Sequence, residues 1–146
     1  MGGGSRPRWA WWVSAWYVVG FAEGAGAHAY FVVTGGLRAY DYAPGATQLL
    51  FHGLLVLDPL VVALVARGRA GGPLLAAVVM VADMLANWWV QWDAVLADPV
   101  AHLRPVGLST ITVFGVFVLA TAFPLHRALV SSGQQHRRTP EAESDP

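Results

Sequence analysis

The sequence has no cysteine and no lysine. Without thiols, disulfides, thiolate nucleophiles, iron–sulfur clusters and cysteine-based zinc sites are excluded. All nine basic residues are arginine, a bias we attribute to GC-rich codon usage rather than to chemistry. Charge is scarce as well. Charged residues make up 12% of the chain, about half the share usual in a soluble domain. Nine acidic residues balance the nine basic ones, so no net charge draws nucleic acid or anionic substrates from a distance, and no nucleic-acid partner is expected. Metal-ligand spacings of the His-x-x-x-His or Glu-x-x-His kind are also missing. Glu23, His28, His52 and Asp83 are suitable ligand types, but without such a spacing no metal and no cofactor is expected. A haem between His28 and His52 would need both rings at one depth on facing helices, and their estimated depths differ by several ångström.

What is present is apolar sequence. Hydrophobic residues form 55% of the 146, with a mean hydropathy of +0.48, and this length fits a single domain. A helix needs about 20 largely apolar residues to cross a bilayer. The stretches 9–34, 47–66, 73–96 and 106–129 all reach that length. Between them lie breakers: Gly35-Gly36 with Pro44-Gly45, then Gly68 with Gly71-Gly72-Pro73, then Pro99 with Pro105. The last two connections are short, so neighbouring helices must run antiparallel. The expected fold is an all-α, integral membrane four-helix up-down bundle embedded in the lipid bilayer. Residues 1–8 and 130–146 are polar or glycine-rich and are expected to be disordered.

Arginines set the expected orientation. With the N-terminus inside, Arg6, Arg8, Arg67, Arg69, Arg127, Arg137 and Arg138 are cytoplasmic, and only Arg38 and Arg104 are outside. Tryptophans agree, with Trp9, Trp11 and Trp12 at one interface and Trp88, Trp89 and Trp92 at the other. The chain is therefore read as a multi-pass protein of the cell membrane, N-in and C-in. The first stretch partly mimics a cleavable signal peptide, but Glu23 interrupts its core and the apolar run resumes at Tyr30. The start Met-Gly-Gly-Gly-Ser-Arg fails the myristoylation pattern because position 6 is arginine.

Each stretch carries polar groups at membrane depth, where they are costly and normally mark a working site. Helical rise puts Glu23, His52, Asn87 and Thr112 about 7–10 Å below the outer surface. His28 and Gln91 lie nearer that surface, and Asp58 and Asp83 fall near the midplane, about 15 Å from either side. Asp83, Asn87 and Gln91 recur at i, i+4, i+8 and form one stripe. Trp16, Gly20, Glu23, Ala27 and Tyr30 share one face of the first helix, with Gly20 and Gly24 at the small-xxx-small spacing that lets membrane helices approach closely. His28 is about 140° around from Glu23 and must face elsewhere.

These positions predict a polar pocket open to the outer face. Glu23, His52, Asp58 and Asp83 are the candidate acid–base residues, and His28, Tyr30, Asn87, Gln91 and Thr112 the candidate ligand contacts. Asp58 and Asp83 would share a proton if they approach. Glu23 beside His52 would form an acid–imidazole pair. Asp58-Pro59 also reads as a helix start within the second stretch, with Asp58 as N-cap. The loop 37–43, with Arg38, Tyr40, Asp41 and Tyr42, is placed to lid the opening.

In length and span count the chain resembles small four-span families such as the EXPERA-type sterol isomerases and the DoxX-like proteins. No motif aligns residue by residue, so no site residue is carried across. The leading expectation is a small-molecule binder whose ligand is partly apolar. Its rivals are an intramembrane acid–base enzyme of isomerase type and an accessory subunit whose polar groups only join helices. A homo-oligomer or a partner membrane subunit is compatible with each.

Overall fold

Prolines and glycines set the limits of the helices. The computed structural model describes residues 6–103 and 107–138. Within them lie four long helices: α1 (Arg8–Gly35), α2 (Gly45–Ala66), α3 (Gly71–Ala97) and α4 (Leu108–Arg138). Single 3-10 turns occupy Gly36–Arg38 and Ala101–Leu103. Pro7 and Pro44 precede α1 and α2 in the extended conformation their rings favour. Just past the end of α2, Gly68 has a φ of 65°, which suits glycine best. There the Arg69 amide reaches back to the Leu64 carbonyl and the Gly68 amide to that of Val65, a Schellman-type close.

Helices α2, α3 and most of α4 are long and apolar enough to cross a membrane. They fit a small membrane protein. Helix α1 is not among these spans although its 28 residues are ample in length. Glu23, His28 and the glycines at 20, 24 and 26 dilute its apolarity. Three of the four expected spans are thus supported.

Sequential helices pack side by side: α1 on α2, α2 on α3, α3 on α4. A thinner α1–α4 seam closes the ring. One end of the bundle holds the α1–α2 and α3–α4 connections, and is called the two-loop end here. The other holds the tight α2–α3 turn and the helix ends nearest the chain termini. Close approaches rest on small residues. Gly20 lies against the Phe114 ring, Gly72 against the Val65 backbone, and Gly115 against Met84.

Proline does not divide α2. The helix runs through Pro59, and likewise α4 runs through Pro124. One lost backbone bond in each is outweighed by tertiary packing on both sides. Asp58 therefore caps no helix start. Helix α4 also continues nine residues beyond the expected boundary at Leu129, to Arg138. Ser131 and Ser132 turn their hydroxyls back to the Arg127 and Ala128 carbonyls. Polarity ends a membrane span, but it does not end a helix. The ends expected to be disordered, 1–5 and 139–146, lie outside the described residues.

Candidate functional site

The polar stripe on α3 holds itself together. Asn87 donates its amide to the Asp83 backbone carbonyl at 3.0 Å and to its carboxylate at 2.9 Å. Gln91 donates in turn to the Asn87 side-chain oxygen at 3.3 Å. Spacing of four residues per step makes this possible, since such side chains stack on one helix face.

Tyr40 packs into the two-loop end against α1 and α2. It sits in the α1–α2 connection among exposed neighbours, yet is only 2% exposed. Its hydroxyl is hydrogen-bonded to His28 Nδ1 at 2.9 Å. Its ring packs edge-on against His52, 5.0 Å between centroids, and against Phe51 at 5.1 Å. Burial pushes the Tyr40 phenol above its ordinary pKa, with smaller contributions from Tyr42 and Asp83. His52 is fixed by donation from Nδ1 to the Gln48 carbonyl at 2.8 Å. That bond places a proton on Nδ1. Nε2 is buried and has no partner.

Asp58 lies on α2, facing α1. It is 5% exposed, and its carboxylate lies against Gly24, where an added Cβ would come within 2.8 Å of Oδ2. Asp83 is close enough to interact with it electrostatically. Among the described residues no hydrogen bond reaches the Asp58 carboxylate. Among the described residues the Asp58 carboxylate and, nearer the two-loop end, the buried His52 Nε2 have no hydrogen-bond partner. No arginine among the described residues lies beside them.

The structure brings His28, His52, Asp58, Asp83, Asn87 and Gln91 into the region where α1, α2 and α3 meet. Three other expected members stand elsewhere. Glu23 is exposed and lines a groove of about 260 Å³ on the α1–α4 seam, with Trp16, Gly20, Ala27 and Phe114. It is not paired with His52. Tyr30 is 67% exposed. Thr112 accepts a hydrogen bond from Trp88 Nε1 at 2.9 Å and donates to the Leu108 carbonyl, which clips α3 to α4. Among the described residues no group of three or more His, Asp or Glu side chains is placed to hold a metal ion.

Two polar contacts escaped the sequence reading. Tyr17, fully buried, donates to the Val118 carbonyl at 2.8 Å and meets Thr121 at 3.0 Å. Thr121, a polar group deep in the other half, was the available signal. His126 donates from Nδ1 to the Ala70 carbonyl at 2.7 Å and ties α4 to the α2–α3 turn. Comparison with protein-family models, curated proteins and solved structures finds no match.

Proposed function

We propose that this small membrane protein spans the cell membrane four times, with both termini cytoplasmic. Its site binds a small, partly apolar molecule in the polar layer where α1, α2 and α3 meet. The observation that carries this is Asp58: a carboxylate 5% exposed in mid-helix, without a hydrogen-bond donor among the described residues. Leaving such a group unsatisfied is expensive, so a guest that donates to it is favoured. The guest should carry a hydroxyl or ammonium group for Asp58 and an apolar remainder. Asp83, Asn87 and Gln91 would orient it.

Native mass spectrometry of protein purified in mild detergent tests this. A stoichiometric non-lipid molecule should be retained by the wild type and lost on Asp58→Asn, with melting temperature preserved. A clean protein mass for the wild type under the same conditions overturns binding as the function. One observation favours a second reading, an intramembrane acid–base enzyme: His52 Nε2 is buried and has no hydrogen-bond partner among the described residues, so no protein group competes with a substrate for it. Turnover of a retained molecule, abolished by His52→Gln while binding persists, separates the two.

A further inference from the structure

The Glu23 carboxylate poses a different problem from Asp58. It faces outward on the α1–α4 seam, in the middle of a helix, and among the described residues no hydrogen bond or ion pair reaches it. Ionisable side chains at membrane depth normally face protein or water rather than lipid. The groove around it has an apolar wall of Trp16, Phe114 and Ile111, and exposed Ala27 is the small residue left open on it, since Phe114 and Asp58 already fill the space beside Gly20 and Gly24. Small residues of this kind let another helix approach closely. Its volume of about 260 Å³ takes one or two side chains, whereas ligand pockets commonly run to about 300–1,000 Å³. The seam is also the thinnest contact in the ring.

Resting on the proposed insertion of α1, we propose that this seam docks a transmembrane helix of a partner protein that carries a lysine or arginine level with Glu23. Charge complementarity selects that occupant over a second copy of the chain. A two-fold contact through the groove would set one Glu23 against the other. Among the described residues neither wall supplies a cation at that level either. Arg8 is fifteen residues back along α1 (from 23 to 8), about 22 Å by helical rise. Arg127 is seventeen residues from Thr110 on the α4 wall (from 110 to 127), about 25 Å away. A basic side chain on a neighbouring helix satisfies the carboxylate, while Trp16 and Phe114 pack against its apolar stem.

The test uses the full chain in phosphatidylcholine vesicles. The protein is labelled at a single thiol introduced by Thr34→Cys, which is unique because the sequence has no cysteine. Energy transfer is measured to a polyleucine transmembrane peptide with one lysine level with Glu23, and to the same peptide without it. The lysine peptide should associate at least tenfold more tightly. Glu23→Gln should remove that preference, and Ala27→Phe, which fills the groove but keeps the carboxylate, should weaken association of both peptides. Equal association of the two peptides, or a lysine preference that survives Glu23→Gln, overturns the proposal. So does transfer between differently labelled copies of the chain that Ala27→Phe abolishes, since the occupant is then a second copy. Rapid reaction of a separate Ala27→Cys variant with a water-soluble maleimide in intact vesicles shows instead that α1 lies outside the bilayer, and the four-span reading fails with it. Protection of that thiol with no lysine preference leaves the four-span reading standing and removes only the docking site.

Discussion

The two ends of the bundle are built from different materials. Toward the termini end the interior is close-packed and apolar, with Val61, Val65, Ala76 and Leu125 each 1% exposed or less. Its side-chain hydrogen bonds, Tyr17 to Val118 and His126 to Ala70, go to backbone carbonyls, and only the small Ser14 hydroxyl is buried there without a partner among the described residues. Toward the two-loop end the interior holds imidazoles, carboxylates and amides, and two of these, Asp58 and His52, carry polar atoms with no partner among the described residues. Apolar packing and satisfied hydrogen bonds hold helices together. Unpartnered polar atoms do not, so stability and the candidate site are assigned to opposite ends.

Substitutions should split along that line. The largest expected loss is at Leu125, fully buried between helices. Leu125→Ala should cost about 2–5 kcal/mol, read as a lower melting temperature in detergent, whereas Asp58→Asn should cost little or nothing. Equal losses at the two positions would erase the contrast. Next comes Tyr17→Phe, which removes a buried donor from the Val118 carbonyl. It should cost about 1 kcal/mol by thermal unfolding and leave any bound molecule in place. The smallest effect is expected at Tyr40. Its phenol is held above the ordinary pKa by burial, so its contribution is complete below the unfolded value of about 10 and is lost as pH rises through the folded value. Between pH 8 and 11 the melting temperature of the wild type should therefore fall more steeply than that of Tyr40→Phe. Parallel curves would show that the Tyr40 packing is looser than its contacts imply.

Much of the architecture was legible because membrane helices are fixed by length and by their breakers. The starts of α2 and α3 fall two residues before the expected ones, at Gly45 and Gly71. The Asp83–Asn87–Gln91 stripe follows directly from spacing, and so does the shared face of Trp16, Gly20, Glu23 and Ala27. Which way that face points was not legible. In water, an apolar stripe marks the inside, but lipid tails are as apolar as leucine, so the pattern does not separate inside from outside in a membrane. Gly20 and Gly24 announced close contacts without naming Phe114 and Asp58 as the groups that fill them. The end of α4 was misjudged for a related reason: Ser131 to Arg138 lack the hydrophobicity of a span but retain the backbone bonding of a helix.

The contact between Gly24 and Asp58 has a consequence for how this sequence can drift. The carboxylate occupies the space that a methyl group at position 24 would take. A lineage that first replaces Asp58 with a smaller residue gains the freedom to accept alanine at 24. One that takes the alanine first must move the acid. The two positions are therefore epistatic, and the order of their changes decides which paths remain open.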